Sequence, residues 1–224
     1  MEFDSFRGIL FDLDDTLIDF KQSEQISLHN CYRAFFAEKV GFEAFEKQYT
    51  QINRALWKAV EEGKCSTTHV GQERFRQLAD LFGVPFHSKV PLYYEQQLVQ
   101  HATWISGAEA FLQKIQRQKI KIGYLTNGFS HVQQSKFRNL GLDRFSNILV
   151  ISEEVGVPKP HPAIFHHALQ LLGTKAEETL MVGDSLVSDG QGARSVGMKF
   201  CWYNPSRIPP PDWTPDLILT QLSS

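Results

Sequence analysis

The chain has 224 residues, of which 42% are hydrophobic, and its formal net charge is −2. This length suits one large domain or a core with a smaller inserted domain, and the apolar content argues against a disordered chain. The charge balance does not indicate a nucleic-acid partner, and no apolar run reaches the roughly 18 residues of a membrane-spanning helix. The acidic N-terminus lacks the pattern of a signal peptide, and the three cysteines show no CxxC spacing. We therefore expect a cytoplasmic protein with reduced thiols and no nucleic-acid or membrane partner.

A short apolar segment, residues 7–11, predicts a buried strand that is followed at once by the carboxylates of Asp12, Asp14 and Asp15. Carboxylates at the end of a buried strand repel one another and need a countercharge or a metal ion. Asp12 and Asp14 are two residues apart, so on an extended chain their side chains point to the same side. This cluster is the first candidate for a functional site.

Residues 18–103 show helical periodicity and contain no comparable strand. Their apolar stripes predict a set of helices, of which one ends near Gly63 and the next at Gly83. From about residue 105, strands alternate with helices, which predicts a parallel sheet covered on both faces. Ser106 and Glu109 have the spacing of a capping box that would open the first helix of this part.

These patterns predict an α/β fold with a Rossmann-like parallel-sheet core that is interrupted by an all-helical domain. Residues 1–17 and 104–224 form the predicted core, and residues 18–103 form the predicted insertion. In an open parallel sheet, ligands bind beyond the carboxyl ends of the strands, so the residues after each predicted strand are candidates for the site. The polar or glycine residues found there are Asp12, Asp14, Asp15, Thr126, Asn127, Gly128, Lys159, Asp184 and Asp189.

These side chains suit phosphoryl transfer through an aspartyl phosphate. A carboxylate can attack phosphorus, a second acid two residues away can protonate the leaving alkoxide and then activate water, and further carboxylates can hold Mg²⁺. Thr126 and the backbone of Asn127 and Gly128 precede a predicted helix, where they can bind phosphate oxygens. Lys159 supplies a positive charge for the phosphate and the nucleophile. The predicted partner is therefore a small phosphate monoester, and the predicted cofactor is Mg²⁺.

Four motifs occur in order along the chain, and with them the sequence resembles the haloacid dehalogenase-like hydrolase superfamily. They are DxDxT at Asp12–Thr16, an apolar strand ending in Thr126, the lysine Lys159, and GDxxxxD at Gly183–Asp189. Together with the pattern of strands and helices, the resemblance covers the whole chain.

The resemblance assigns a role to each matching residue. It implies that Asp12 is the nucleophile and that Asp14 is the general acid and base. It also implies that Mg²⁺ is held by Asp12, Asp184 and the backbone carbonyl of Asp14. Asp189 would bind the ion through a water molecule or contact the residues that hold it. Thr126 and Lys159 would bind the phosphate.

The insertion lies where this superfamily places a helical cap of the first type, which closes over small soluble substrates. A closer resemblance, to the bacterial pyrimidine 5′-nucleotidases, is carried by five short stretches: Phe11–Phe20, Ile52–Asn53 with Leu56–Trp57, Glu62–Lys64, Leu125–Gly128, and Cys201–Trp202 with Asn204–Pro205. Members of that branch hydrolyse nucleoside 5′-monophosphates. The third motif, at Val157–Pro162, has the form common to phosphatases and does not bear on this assignment.

Other functions fit part of the same pattern. A phosphatase of a sugar phosphate or of phosphoglycolate, or a phosphomutase, would carry the same motifs. A receiver-like or non-catalytic phosphate-binding signalling protein would also combine acids, a hydroxyl and a lysine. The helical insertion after the first strand argues against a receiver, and the presence of every essential motif residue argues against a non-catalytic protein. The sequence predicts neither the preferred base or sugar nor the oligomeric state.

Several other residues have a structural interpretation beside a functional one. Asp15 is expected to be structural, and His161 is expected to shape the turn into the following helix. Four aromatic side chains are either core residues or candidates for stacking on a base: Trp57, Tyr93, Tyr94 and Trp104.

Overall fold

The computed structural model describes residues 3–210 and 213–223. Its contacts divide the chain into two compact units, one that ends at Asp19 and resumes at Thr103, and one that comprises Phe20–Ala102. Within the described ranges, no helix has both the length and the apolar character needed to cross a membrane. The function of the second unit as a cap stays a prediction.

The first unit is built on a sheet of six strands, all parallel, in the order β3-β2-β1-β4-β5-β6. The predicted α/β fold is thereby confirmed. The strands are β1 Gly8–Phe11, β2 Lys121–Thr126, β3 Leu149–Ile151, β4 Thr179–Gly183, β5 Lys199–Tyr203 and β6 Leu217–Leu219. Leu10 of β1 pairs with Gly123 on one side and with Met181 on the other. The chain therefore reverses its direction of winding at β1, which is where such sheets bind ligands.

The second unit consists of helices, as the apolar periodicity predicts. They are α1 Phe20–Phe35, α2 Phe42–Glu61, α3 Thr67–Phe82 and α4 Lys89–Gln100. Helix α3 ends at Gly83, which has a φ of 64° and so occupies the left-handed region that glycine adopts without steric penalty.

The interior of this helical unit contains a buried cation among aromatic rings. The guanidinium carbon of Arg74 lies 4.5 Å from the ring centre of Tyr94, and the hydroxyl oxygens of Tyr49 and Tyr94 are 2.6 Å apart. The Tyr49 hydroxyl also donates to Glu24 at 2.9 Å. Tyr94 is fully buried. Of its two interpretations, the core role is the one that the structure supports.

The sheet of the first unit is covered by α5 Ala108–Arg117, α6 Ser130–Asn139, α7 Ser152–Val155, α8 Pro162–Leu172 and α9 Gly192–Ser195. Ile164 and Ala168 of α8 pack with Leu10 and Met181 in one buried apolar cluster. His161 is the N-cap of α8, and its Nδ1 accepts a hydrogen bond from the backbone N–H of Ala163 at 3.2 Å. The predicted role of His161 in shaping this turn is confirmed.

The predicted capping box at Ser106 and Glu109 is wrong. Helix α5 is preceded by Gly107 at a φ of 85°, and no side chain caps it. A Cβ at Gly107 would lie 1.9 Å from the carbonyl oxygen of Leu222, so the C-terminal segment passes too close for any side chain. Glu109 instead accepts a hydrogen bond from Arg144 at 2.8 Å. A contact distant in sequence therefore overrides the local capping signal.

We expect Gly107→Ala to destabilise the protein more than Gly197→Ala does. Both glycines have positive φ, 85° and 81°, but a Cβ at Gly197 meets nothing within 4 Å. Gly197→Ala should lower the free energy of unfolding by about 1–2 kcal/mol through backbone strain alone. Gly107→Ala should add a steric loss of about 1–3 kcal/mol. Urea denaturation of both variants measures the difference, and equal losses would contradict the close approach of Leu222.

Candidate active site

Asp12 stands at the carboxyl end of β1, where the sheet continues for one more residue. Its backbone N–H donates to the carbonyl of Val182 at 2.9 Å, which extends the pairing of β1 with β4. The chain then turns sharply, because the carbonyl of Leu13 accepts hydrogen bonds from three backbone N–H groups, those of Thr16, Leu17 and Ile18. Asp15 has a φ of 61° in this turn. Asp12 is thus fixed at the sheet edge, and its residue is only 7% exposed.

The countercharge of Asp12 is Lys159, which is almost fully buried. The Lys159 ammonium lies 2.6 Å from Asp12 Oδ1 and 2.7 Å from Asp189 Oδ1, and it donates to the carbonyl of Leu125 at 2.9 Å. A lysine ammonium has three N–H donors, and all three are accounted for by these contacts. Lys159 therefore neutralises the nucleophile candidate directly and offers its charge, rather than a free N–H, to any phosphate.

Asn127 supports Lys159 through its side chain. Its Nδ2 donates to the carbonyl of Lys159 at 2.8 Å, and its Oδ1 accepts the backbone N–H of Lys159 at the same distance, 2.8 Å. The sequence assigns Asn127 to phosphate through its backbone. It does not show that the side chain joins the end of β2 to the Lys159 loop. No pattern in the sequence predicts this contact.

The remaining acids come from the segment after β4. Asp189 lies on a π-helical turn, Leu186–Gln191, and its Oδ2 accepts the backbone N–H of Ser185 at 3.1 Å. A Cβ at Gly183 would lie 2.1 Å from Asp189 Oδ2, so only glycine leaves room for this carboxylate. The indole of Trp202 donates to the carbonyl of Asp184 at 2.9 Å and holds the start of the segment.

Asp12, Asp184 and Asp189 form a carboxylate cluster in which one oxygen of each lies within 4.8 Å of the others. Hard oxygen donors at this spacing fit Mg²⁺, which prefers carboxylates and retains waters. The side chain of Asp14, the other acid predicted at the metal, lies outside this cluster. The structure thus brings together three of the four predicted metal residues through their side chains.

Burial and mutual repulsion alter the acidity of this cluster. The pKa of Asp12 is raised to about 7: burial is the largest cause, Lys159 opposes the rise, and the charges of Asp189 and Asp14 contribute to it. Burial likewise raises the pKa of Asp184 to about 8, helped by the charges of Asp12, Asp189 and Asp15. One lysine thus does not balance the carboxylates, and a bound divalent cation would lower both pKa values.

The Asp14 carboxylate contacts α6 instead. Its Oδ1 lies 2.7 Å from the ammonium of Lys136, and its Oδ2 accepts from the Gln133 amide at 2.7 Å. The same Gln133 nitrogen donates to the hydroxyl of Thr126 at 3.1 Å. The sequence analysis misses both Gln133 and Lys136. The available signal is weak: two polar residues three apart on a helix that starts just after Thr126.

Residues 6–197 match the family described as haloacid dehalogenase-like hydrolases. The chain belongs to this family. Its phosphatase character is supported by named relatives, one of which is the pyrimidine 5′-nucleotidase YjjG of Escherichia coli (strain K12). YjjG is 35% identical over 198 residues, which cover 88% of this chain and 85% of YjjG.

A second relative of this hydrolase is the glyceraldehyde 3-phosphate phosphatase of Pyrococcus abyssi (strain GE5 / Orsay). It is 31% identical over 195 residues, or 87% of this chain and 80% of that protein. The crystal structure of the HAD-hydrolase YfnB from Bacillus subtilis, bound to magnesium, has a TM-score of 0.87 and 30% identity, and covers 97% of this chain and 95% of its own. Family, fold and enzyme class are therefore confirmed, while the relatives differ in the substrates that they are named for.

We expect Mg²⁺ to stabilise this hydrolase more at about pH 8.5 than at about pH 5.5. The pKa values of Asp12 and Asp184, about 7 and about 8, lie above the unfolded value of 3.8. The metal-free protein therefore loses stability as pH rises through these values, and Mg²⁺ must displace protons below them. At a concentration of about 100 times its Kd, Mg²⁺ should add about 2.7 kcal/mol at the higher pH.

Thermal unfolding with Mg²⁺ or with EDTA at the two pH values measures this effect. Asp184→Asn is the matched variant, because it keeps the shape of the side chain and removes one charge from the cluster. It should reduce the gain from Mg²⁺ at high pH. An increase in Tm that is equal at both pH values would contradict the assignment of these carboxylates to the metal.

Proposed function

We propose that this hydrolase is a Mg²⁺-dependent phosphomonoesterase that acts through an aspartyl phosphate on Asp12. The observation that carries the proposal is the state of the Asp12 carboxylate. Its Oδ1 is held by Lys159 at 2.6 Å, while its Oδ2 accepts no hydrogen bond from any residue that the structure describes. One oxygen is thus fixed and neutralised, and the other is available to attack phosphorus.

We assign the binding of the phosphate to Thr126, to the backbone of Asn127 and Gly128, and to the charge of Lys159. Thr126 ends β2, beside β1, and its buried hydroxyl accepts from Gln133. The hydroxyl hydrogen is therefore left to donate to a phosphate oxygen. The backbone N–H groups of Asn127 and Gly128 precede α6, where the helix dipole favours an anion. Lys159 adds its charge without leaving Asp12.

Mg²⁺ would be held by Asp12, Asp184 and the backbone carbonyl of Asp14, and Asp189 would lie behind these ligands. When bound, the ion offsets the repulsion between the Asp12 carboxylate and the phosphate, and it stabilises charge during transfer. The carboxylate cluster within 4.8 Å and the magnesium named for the YfnB structure support this choice of metal.

The reaction then proceeds in two steps. In the first, Asp12 forms a bond to phosphorus, the bond from phosphorus to the leaving oxygen breaks, and Asp14 gives its proton to that oxygen. In the second, Asp14 takes a proton from water, the water oxygen attacks phosphorus, and the bond to Asp12 breaks. Inorganic phosphate leaves, Asp12 is again a carboxylate, and Asp14 is again the carboxylic acid that began the first step.

We further propose that the substrate is a nucleoside 5′-monophosphate. The likeness to YjjG over most of both chains supports this choice. The resemblance of Ile52–Asn53, Leu56–Trp57 and Glu62–Lys64 to the pyrimidine 5′-nucleotidases agrees with it. A small sugar-type phosphate is the second candidate, and the likeness to the Pyrococcus abyssi phosphatase favours it. In either case Asp12 and Asp14 keep the same roles.

A substrate panel distinguishes these two candidates. With Mg²⁺ present, kcat/KM for UMP, dUMP and dTMP should exceed the values for glyceraldehyde 3-phosphate and hexose phosphates by at least about tenfold, since about 1.4 kcal/mol of added binding to a base suffices. Phosphate release is the measurement. Equal or reversed values would reject the nucleotide substrate and leave the reaction type intact.

Asp12→Asn should lower phosphatase activity by roughly 1,000-fold or more, because the amide is a poor nucleophile. It should not lower the Tm in EDTA at about pH 8, since the charge that burial disfavours is gone. Asp143→Asn, on an exposed turn, is the matched control and should keep full activity. Activity retained in Asp12→Asn would remove Asp12 from the role of nucleophile.

A further inference from the structure

Lys136 is a buried cation that the proposed reaction does not use. It lies on α6 and is 1% exposed, which for a lysine requires a paired charge. Its ammonium lies 2.7 Å from Oδ1 of Asp14, whose side chain is 25% exposed. The other charged groups near the proposed nucleophile, Lys159 and Asp189, are already paired with each other at 2.7 Å. Lys136 is therefore directed at Asp14 rather than at the metal cluster.

Gln133 lies one turn before Lys136 on the same face of α6 and is also buried. Its Nε2 donates to Asp14 Oδ2 at 2.7 Å and to Thr126 Oγ1 at 3.1 Å. Rotating the amide by 180° would place its oxygen against the Asp14 carboxylate at hydrogen-bond distance, which is repulsive. The orientation of the amide is therefore determined by Asp14. Gln133 Oε1 is buried and has no hydrogen-bond partner among the described residues.

The backbone at Gly128 also leaves room for the Gln133 amide. A Cβ at Gly128 would lie 2.1 Å from Gln133 Nε2. Gly128 therefore has a steric function in addition to the phosphate contact that the sequence predicts. The loop after β2 and helix α6 together hold the Gln133 amide between Thr126 and Asp14.

We propose that Lys136 and Gln133 are positioning residues that fix the Asp14 carboxylate, and that Gln133 couples its orientation to the Thr126 hydroxyl. The inference rests on the proposed function, in which Asp14 is the acid and base and Thr126 binds phosphate. Both oxygens of Asp14 are held, one by each residue, so the side chain has a defined direction before substrate binds. By accepting from Gln133, the Thr126 hydroxyl is left to donate its hydrogen to phosphate.

The test compares Lys136→Met with Arg138→Met, an exposed position on the same helix. For a nucleoside 5′-monophosphate, whose leaving alkoxide needs a proton, Lys136→Met should lower kcat roughly 100-fold, as expected for a displaced catalytic group. KM should change less than about twofold, since the phosphate contacts remain. Arg138→Met should match the wild type.

The choice of leaving group separates positioning from general damage. With 2,4-dinitrophenyl phosphate the first step needs no proton donor, so Lys136→Met should release the first equivalent of phenolate at the wild-type rate. The second step needs Asp14 as base, so steady turnover should fall and a burst should appear. A variant whose nucleophile or phosphate site is distorted would lose the burst rate as well, and that result would overturn the inference.

A double-mutant cycle tests whether Lys136 acts through Asp14. In an Asp14→Asn background, Lys136→Met should cause no further loss, because its target is already removed. An equal further loss would overturn the inference, and so would equal activity of Lys136→Met and Arg138→Met. If Lys136→Met fails to fold, Lys136→Gln, which removes the charge and keeps a polar end on the side chain, supplies the same three comparisons. Absence of hydrolysis by the wild-type enzyme would instead reject the proposed function, and this inference with it.

Discussion

The ion pairs of Lys159 with Asp12 and Asp189 are the interactions on which the rest of the site depends. Lys159 is the shared partner, so its removal would leave both carboxylates without their countercharge, a kind of loss that typically costs about 3–5 kcal/mol in a buried pair. With Asp184 ionised, the cluster carries three negative charges against one positive charge. Burial, with the mutual repulsion of these carboxylates, raises the pKa values of Asp12 and Asp184. The excess corresponds to the charge of one divalent cation. The fold thus maintains a site that is electrostatically incomplete by itself.

The geometry of the site depends as much on missing side chains as on charged ones. Gly183 lets the Asp189 carboxylate close onto the end of β4, and Gly128 does the same for the Gln133 amide. Gly183 is the last residue of β4 and Gly128 follows β2, so the carboxylate and the amide approach the backbone where an ordinary Cβ would exclude them. In Gly183-Asp184 and in Thr126–Gly128, the glycine therefore provides space for a neighbouring side chain, while the other residues provide polar groups.

The sequence predicts the strands and the residues that follow them, because buried parallel strands are short apolar runs that end at polar groups. The positions of Asp12, Thr126, Lys159 and Asp184 follow from that pattern. The partners of Asp14 do not, since Gln133 and Lys136 are ordinary polar residues of a helix whose rotation about its axis only packing determines. The cap of α5 fails for a related reason: it depends on Leu222, more than a hundred residues away in the chain.

The aromatic side chains of the helical unit differ in whether a ligand could reach them. Aromatic side chains can stack on a base only where a face is accessible, and Tyr94 has none because it packs against Arg74 and Tyr49 inside the unit. Trp57 and Tyr93 are partly exposed and keep both interpretations. A buried cation among aromatic rings stabilises the unit through interactions that no substrate can use. Under the proposed function, stacking on a base by this unit would fall to its partly exposed aromatic side chains and not to this interior.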